Sequence, residues 1–542
     1  MSEFTPTAEQ VLAIDYLGHM VVTACPGSGK TEVISRKIRT LTASLPSYKG
    51  VIAISFTNKA SDELRDRCKA GNLDVKGSFF GTIDKFCIGR IILPFIKHMV
   101  IISNSLEISV SRFADLSSSQ QALFPDFESR LPLKTSDTAE IIGAIYHLLQ
   151  DGIILLEAVG ILAVHVLNTS LSCQRYIKSA YTHVFIDEYQ DSGEAQHGLF
   201  LKLRDLGLIA VAVGDGDQSI YRFTGKFPEF LAELSASRSG FEAFTISVNH
   251  RCHPSIANYA NRLLSQDHPL LPSTEVAIIR RHLPGSQIEI ASWIANQLNA
   301  TKARYQVINN RDVGILVRSE NTAKLISQNI GIPHRVFFSN PFTNSTSLSS
   351  RIIESLLTYR FNTRLTAQSL ISEFSPLEFT VDVRNALRIA IQLCRLCSQD
   401  EFESSTLPVI LALTGKPPSE ESITLLRQVF ESTTHLASFA PIADNEVQIL
   451  TLHKSKGLEF KIVFHLDLYD WILPRRIVLE GNWDVHYHDE QQCLNLHYVG
   501  ITRARKFCCL VTSSKRFNSY NQVKNGAPSQ FFARPGLDNL FG

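Results

Sequence analysis

One short stretch constrains this chain more than any other, namely Ala24-Cys25-Pro26-Gly27-Ser28-Gly29-Lys30-Thr31. The apolar run Met20–Thr23 precedes it, and residues 32–38 follow with the apolar spacing of a helix. A glycine-rich loop between a strand and a helix presents backbone N–H groups that cradle phosphates. The stretch therefore predicts a nucleoside triphosphate site, with Lys30 on the β- and γ-phosphates and Thr31 on Mg²⁺. A chance glycine turn is the alternative, and the flanking strand and helix disfavour it.

Length and composition bound the class of protein. At 542 residues the chain is too long for one compact core, so three or four domains are expected. It has no apolar run long enough to span a bilayer, and Met1–Pro6 lacks the features of a signal peptide, so we expect a cytoplasmic protein with no membrane association. The ten cysteines lack the spacing of a metal site and are interpreted as reduced. A net charge of +1 means that any nucleic-acid path must be a local groove.

Two further apolar runs have the pattern of buried strands that end in polar residues. Val51–Phe56 leads into Thr57-Asn58, and an aromatic face beside phosphate donors suits single-stranded nucleic acid. Taken alone, a core phenylalanine before a helix cap would be the favoured interpretation. His183–Ile186 leads into Asp187-Glu188, and paired acids at a strand end suit Mg²⁺ and an attacking water. Strands alternating with helices predict a parallel sheet with its loops at the carboxyl ends of the strands.

The alternation of strands and helices continues later in the chain. The strand pattern Ile209–Val213 is followed by Gln218, which would lie near a γ-phosphate, and by two aromatic residues shortly after it. A polar sensor next to aromatic residues would couple the nucleotide state to a stacked base. Residues 87–186 have the pattern of an inserted helical domain, and a second α/β pattern begins at Asp312.

With these strings in order, the chain resembles the UvrD/Rep/PcrA-like superfamily 1 DNA helicases, since eight motifs follow the family's order over almost the whole length. The resemblance implies an α/β fold with two RecA-like P-loop motor domains, in which parallel sheets are flanked by helices and each motor carries a mainly helical insertion. It implies ATP and Mg²⁺ as cofactors, with ATP between the motors and DNA across their tops. The implied domains are motor 1A at 1–88 and 175–251, insertion 1B at 89–174, motor 2A at 252–360 and 445–542, and a short insertion 2B at 361–444.

The resemblance also implies roles for individual residues. The nucleotide-binding set comprises the adenine contacts, the Walker A loop and a ribose contact: Gln10, Ala24, Cys25, Pro26, Gly27, Ser28, Gly29, Lys30, Thr31, His250 and Glu459. The implied catalytic residues are the phosphate-binding lysine, an acid, a γ-phosphate sensor and two arginine fingers: Lys30, Glu188, Gln218, Arg251 and Arg503. The metal ligands are Thr31 and Asp187. The DNA track comprises Phe56, Asn58, Thr82, Tyr221, Phe223, Thr451 and His453.

Several positions depart from the family pattern. Glu32 stands where the family usually has an arginine after the Walker A threonine, and His250 stands where it usually has a tyrosine. Both positions flank the adenine, so the expected adenine pocket is weakened. Motif Ib usually carries Thr-Phe-His, whereas this chain has Thr82-Ile83-Asp84, which alters an expected DNA contact. Phe223 replaces the tryptophan often found in motif III.

Three functions are compatible with these patterns. The first is an ATP-dependent 3′ to 5′ translocase that unwinds DNA and binds single-stranded and tailed duplex DNA. The second is a DNA-stimulated ATPase acting as the motor or sensor subunit beside a nuclease, since a compact helicase with a reduced second insertion resembles the helicase subunits of two-gene anti-phage systems such as Gabija. The third is a P-loop kinase or an NTP-binding scaffold, which leaves six of the eight motifs unexplained.

Overall fold

The computed structural model describes residues 5–100, 108–338, 340–345, 347–363, 365–374, 379–479, 482–518 and 520–542. Residues 1–4 of the N-terminal stretch Met1–Pro6, which is not expected to be a signal peptide, lie outside this described part. The chain divides into two compact units. Unit 1 comprises the described residues up to Gly216 together with Tyr221–Val248 and Pro341–Glu431, and unit 2 comprises Asp217–Ile220, Asn249–Asn340 and Ser432–Gly542.

Unit 1 is built on a six-stranded parallel sheet. In chain order its strands are β1 (Met20–Ala24), β2 (Gly50–Ile54), β3 (Phe79–Gly81), β4 (Tyr181–Ile186), β5 (Ile209–Gly214) and β6 (Glu242–Ile246). Their order across the sheet is β3-β2-β4-β5-β1-β6. Every residue of β2 is buried, as expected for a strand covered on both faces by helices. The loops after β1, β2, β4 and β5 therefore emerge at one edge of the sheet.

Three helices of unit 1 position residues at that edge, namely α1 (Ala8–Asp15), α2 (Lys30–Ser44) and α3 (Asn58–Lys69). Thr7 caps α1 in a reciprocal capping box with Gln10, and Thr57 caps α3 by accepting a hydrogen bond from the Ala60 N–H. The other α-helices of this unit before residue 248 are Ile83–Phe86, Leu93–Phe95, Ser118–Gln121, Phe127–Arg130, Thr138–Gln150, Val159–Thr169, Leu171–Ala180, Glu194–Asp205 and Glu229–Ser235. A π-helical turn spans Cys87–Ile92, and residues 109–111 and 153–155 pair as two short parallel strands.

A helical segment late in the chain also belongs to unit 1. Its helices are α4 (Leu348–Phe361), α5 (Ala367–Phe374), Val381–Leu396, Gln399–Thr414 and Glu420–Glu431. By sequence position this segment interrupts unit 2, whereas by packing it groups with unit 1. The domain boundaries inferred from the sequence remain predictions, but the packing shows that α4 and α5 must be considered together with the first sheet.

Unit 2 has its own six-stranded parallel sheet. Its strands are β7 (Ile278–Leu283), β8 (Val313–Val317), β9 (His334–Val336), β10 (Val447–Thr451), β11 (Phe460–His465) and β12 (Ala504–Ser513), in the order β9-β10-β8-β11-β12-β7. Its α-helices are Pro254–Leu264, Gln287–Arg304, Glu320–Asn329, Thr433–Ala437 and Glu490–Thr502, and two hairpins pair 475–479 with 482–488 and 515–517 with 523–525. Two parallel sheets flanked by helices confirm the predicted α/β class.

Short 3₁₀ turns connect many of these elements, at Ile96–His98, Phe113–Asp115, Thr135–Asp137, Leu156–Ala158, Tyr189–Asp191, Gly216–Gln218, Arg222–Thr224, Asn310–Asp312, Pro341–Asn344 and Gln530–Ala533. Of the described helices, none alone has the length and hydropathy to cross a membrane. That threshold is reached only by joining Leu156–Thr169 to Leu171–Ala180, which meet at 99°.

A pair of buried histidines in unit 2 makes stability dependent on pH. His465 Nε2 lies 3.0 Å from His497 Nδ1, and both side chains are fully buried. Burial lowers the pKa of His465 to about 3. The folded chain therefore keeps this histidine neutral while the unfolded chain protonates it below about pH 6.5, so stability falls as the pH drops below that value.

We expect His465 alone to cost about 1.4 kcal/mol of unfolding free energy between pH 8 and pH 5.5. Denaturant unfolding at the two pH values measures the loss, and His465→Asn should reduce it. An identical pH dependence in the variant would contradict this assignment, whatever the variant's absolute stability.

Candidate functional site

The loop after β1 has the backbone that a phosphate cradle requires. Gly27 and Gly29 adopt φ values of +70° and +80°, which favour glycine, and α2 begins directly after Gly29. The Lys30 ammonium donates to the carbonyls of Ala24 at 3.1 Å and Cys25 at 3.4 Å. The lysine is thus held across the mouth of its own loop, where an arriving phosphate would replace the carbonyl oxygens as its partner.

Gln10 is tied directly to this loop. Its side chain is fully buried, its Nε2 donates to the Ser28 carbonyl at 2.8 Å, and its Oε1 accepts from the Thr7 N–H at 2.8 Å. The amide predicted to contact adenine therefore also joins α1 to the phosphate loop. Lys37, which the sequence analysis did not single out, anchors the other end of α1, because its ammonium donates to the carbonyls of Ile14 and Tyr16.

The sheet order brings the metal-site residues together. Thr31 Oγ1 donates to Asp187 Oδ2 at 3.3 Å, and the Lys30 ammonium lies 3.9 Å from Asp215 Oδ2. Burial and the neighbouring Glu188 charge raise the pKa of Asp187, while Lys30 opposes the rise. A buried carboxylate beside a second, partly buried one favours a cation.

These residues fit Mg²⁺ bound together with a nucleotide. The described residues contain no cluster of three or more His, Cys, Asp or Glu side chains that would hold a metal unaided. Thr31 and Asp187 supply only two oxygen ligands, and Mg²⁺ characteristically completes its shell with phosphate oxygens and waters.

Gln190 is a site residue that the sequence analysis missed. It is fully buried, its Nε2 donates to Glu188 Oε2, and its Oε1 accepts from the Asp215 N–H at 2.9 Å. Glu188 itself has a positive φ of 54°, which is uncommon for a residue with a side chain. A Cβ on Gly214 would lie 2.6 Å from Gln190 Oε1, so glycine is needed there for the amide to bridge two strand ends.

Most of the predicted DNA contacts of unit 1 also meet at this sheet edge. The rings of Phe56 and Tyr221 lie 6.2 Å apart at 20°, and Phe223 follows at 6.3 Å from Tyr221. Phe56 is 44% exposed and Phe223 is 69% exposed, so both offer apolar faces to solvent. Lys226, not identified from the sequence, places its ammonium 3.5 Å from the centre of the Phe56 ring.

A cavity of about 490 Å³ links the two sets of residues within unit 1. Phe56, Asn58 and Thr82 line it together with the acid pair Asp187-Glu188. The segment after residue 341 closes another side through four residues: Leu348, Arg351, Glu373 and Phe374. Asn58 Nδ2 donates to Glu373 Oε1 at 3.2 Å, so a predicted DNA-contacting amide already binds a carboxylate of α5.

The predicted γ-phosphate sensor and arginine fingers lie in unit 2. Arg503 is 1% exposed, and its guanidinium donates to Gln218 Oε1 at 3.0 Å and to the carbonyls of Val499 and Leu458 at 3.1 and 3.2 Å. Arg251 Nε forms an ion pair with Glu459 Oε1 at 2.7 Å. The structure therefore joins each predicted finger to another predicted nucleotide contact.

The remaining predicted residues of unit 2 differ in accessibility. His250 is exposed, whereas Thr451 is buried at the end of β10. Burial, together with the charges of Arg318 and Lys456, lowers the pKa of His453 to about 4, so the ring is neutral at pH 7. A neutral imidazole contacts a strand by stacking or hydrogen bonding rather than by charge.

Glu32, the departure beside the phosphate loop, is not an isolated acid. Its carboxylate accepts from Arg36 Nε at 2.8 Å and from Arg67 Nη1 at 3.3 Å. The charge reversal at this position is thus accompanied by two arginines from α2 and α3.

Two family models match the chain, an AAA domain over residues 10–224 and a UvrD-like helicase C-terminal domain over residues 413–515. The chain is 27% identical to Gabija protein GajB of Bacillus cereus, covering 93% of this chain and 94% of that protein. It is 22% identical to ATP-dependent DNA helicase Rep of Escherichia coli over 98% and 94%, and 21% identical to ATP-dependent DNA helicase PcrA of Staphylococcus epidermidis over 95% and 84%.

We expect Gln190→Ala to lower the turnover of nucleoside triphosphate by about tenfold or more, because a hydrogen bond to a charged group contributes roughly 1.5–3 kcal/mol. Nucleotide affinity should change little, since Gln190 contacts Glu188 and not the phosphate loop. Steady-state hydrolysis and fluorescent-nucleotide titration separate the two effects. Gln150→Ala, at an exposed helix end of the same unit, is the matched control, and equal turnover in both variants would contradict the positioning role.

Proposed function

The chain belongs to the UvrD-like superfamily 1 helicases, and from this premise we propose that it is an ATP-dependent motor that moves 3′ to 5′ along single-stranded DNA and unwinds duplexes. The observation that carries the proposal is the cavity of unit 1. Residues predicted to touch DNA and the acid pair predicted to serve hydrolysis line the same space. A strand in that cavity would contact the loop that carries Glu188.

The nucleotide site would act through charge and positioning. Lys30 would bind the β- and γ-phosphates, Thr31 and Asp187 would hold Mg²⁺, and Glu188 would orient the attacking water. Mg²⁺ supplies charge neutralisation on the phosphate oxygens when bound. Arg251 and Arg503 would stabilise the charge on the transferring phosphoryl group, a role that supplies on the order of 10³–10⁵ in rate.

Both arginines need new partners for that role. Arg503 donates to Gln218 and Arg251 pairs with Glu459 in this structure. Each predicted finger would exchange a neutral or carboxylate oxygen for a phosphoryl oxygen, which carries more charge in the transition state. Turnover would then require the Arg503–Gln218 hydrogen bond and the Arg251–Glu459 ion pair to be exchanged, in addition to nucleotide binding.

The aromatic residues would bind the DNA strand by stacking on its bases. Stacking of a base on an aromatic side chain contributes roughly 1–3 kcal/mol and tolerates any base. Phe56, Tyr221 and Phe223 form a continuous group, so a strand would pass from one ring to the next as the motor steps. Backbone contacts would make the affinity fall steeply with salt.

A second candidate function is a DNA-stimulated ATPase that serves beside a nuclease in a defence complex and unwinds little on its own. The similarity to Gabija protein GajB over 93% of this chain favours it. Both candidates share one ATP site and one DNA track, and they differ in whether the isolated chain separates strands.

Strand displacement on three duplexes tests the proposal, one with a 3′ tail, one with a 5′ tail and one blunt. We expect ATP-dependent displacement of the 3′-tailed duplex only, because the motor must load on single-stranded DNA and move toward the duplex. Lys30→Ala should abolish it by removing the phosphate contact, whereas Lys178→Ala, an exposed lysine on another helix of unit 1, should not.

The other outcomes discriminate between the candidates. Displacement of the 5′-tailed duplex alone would contradict the polarity. ATP hydrolysis that rises with single-stranded DNA but yields no displacement on any duplex would favour the subunit role. Hydrolysis that is indifferent to single-stranded DNA would contradict both.

A further inference from the structure

One carboxylate in the cavity of unit 1 has no role in the site described above. Asp84 lies just after β3, its side chain is exposed, and it lines the cavity beside Thr82. Within the described part of the chain its carboxylate accepts no hydrogen bond and forms no ion pair. Desolvation by the surrounding cavity walls raises the pKa of the Asp84 carboxyl.

Cations face this carboxylate from three different elements. The charges of three residues oppose the rise in the pKa of Asp84: Arg351 of α4, Lys226 in the chain after β5, and Arg112 directly before the 3₁₀ turn Phe113–Asp115. Lys85 also lines the cavity, and burial lowers its pKa to about 8. Glu373 is the nearby acid that faces Lys85 and Arg351. Among the described residues, neither Arg351 nor Lys85 forms an ion pair within 4 Å, so a phosphate could approach both, in competition with the more distant Glu373.

The cavity thus combines the groups that bind one nucleotide. Phe56 supplies an aromatic face, Lys85 and Arg351 supply charges for a phosphate, and Asp84 supplies a hydrogen-bond acceptor. Its volume of about 490 Å³ lies within the roughly 300–1,000 Å³ of small-molecule sites. An acceptor-only carboxylate favours bases that carry an exocyclic amine, and the pairing of aspartate with the cytosine N4 amine is an established base contact.

We propose that this cavity receives one nucleotide of the bound strand and that Asp84 selects cytosine over thymine or uracil by accepting a hydrogen bond from the N4 amine. The inference rests on the proposed function, because the strand is what delivers the nucleotide. It goes beyond it by giving a sequence preference to a track whose other contacts are indifferent to the base. Uracil and thymine place a carbonyl oxygen where cytosine places the amine, and that oxygen would face the Asp84 carboxylate with no proton between them.

Fluorescence anisotropy with labelled oligodeoxycytidine and oligodeoxyuridine of equal length tests the selection, without ATP and at one salt concentration. These strands differ at the pyrimidine edge but not in backbone charge. We expect the wild-type chain to bind the cytidine strand about fivefold more tightly, toward the low end of what one directional base contact contributes. Asp84→Ala should bring the ratio close to one.

Two further variants keep the test decisive. Asp84→Asn preserves the side-chain shape, should fold like the wild type by thermal unfolding, and should lose the preference because its amide can accept from the cytosine amine or donate to the uracil carbonyl. Asp66→Ala removes an acid that is 76% exposed on α3, and should change both affinities by the same factor because only long-range charge is altered.

Equal wild-type affinities for the two strands, or an unchanged ratio in Asp84→Ala, would overturn the selection by Asp84 and leave the proposed motor intact. Failure to bind either strand would overturn the proposed function and this inference together.

Discussion

The order of the strands in the first sheet is the constraint on which the nucleotide site of unit 1 depends, and its clearest result is the hydrogen bond from Thr31 to Asp187. This hydrogen bond joins residues 156 positions apart in the chain. It exists because β5 lies between β1 and β4, so that three loops emerge side by side at the carboxyl edge of one sheet. The strands concerned are buried, and their packing is what holds the loops at hydrogen-bonding distance. A nucleotide site of this kind is therefore a property of the whole sheet and not of the glycine loop alone.

Electrostatics at this edge is unbalanced in a way that favours a bound metal and nucleotide. Burial of Asp187 and the charge of the neighbouring Glu188 raise the pKa of Asp187, and Lys30 is the cation that opposes this rise. The Lys30 ammonium also donates hydrogen bonds to two carbonyl oxygens of its own loop. A divalent cation beside the carboxylates and a phosphate beside the lysine would satisfy both groups at once, and this is why perturbed acids cluster at functional sites.

Local sequence patterns were sufficient for much of this organisation. The glycine loop, the strand ends and the acid pair each have a pattern that a few adjacent residues define, so the α/β class and the place of Lys30 and Asp187 could be predicted. Contacts between side chains far apart in sequence could not. Gln190 bridges two strand ends only because the sheet places Asp215 beside it, and Lys226 covers Phe56 from a loop 170 positions away in the printed sequence.

The helical segment after residue 341 shows the same limit at the level of domains. Helical periodicity predicts its helices but carries no information on which sheet they pack against. The contacts that settle this include polar ones, such as the Leu348 N–H on Asp115 and the Asn58 amide on Glu373. A sequence pattern of alternating strands and helices therefore predicts two α/β units more readily than it predicts which of them a given helix contacts.

That packing has a consequence for how a strand would enter the cavity. Asn58 donates to the Glu373 carboxylate, whose charge also acts on Lys85 and Arg351, so Glu373 is the anion with which a phosphate would compete at these groups. A phosphate reaching Asn58 must replace Glu373, and the displaced carboxylate must regain water to avoid an unpaired buried charge. The affinity of this track for DNA is therefore the difference between two anions competing for the same donors, and it depends on α5 as much as on the aromatic residues.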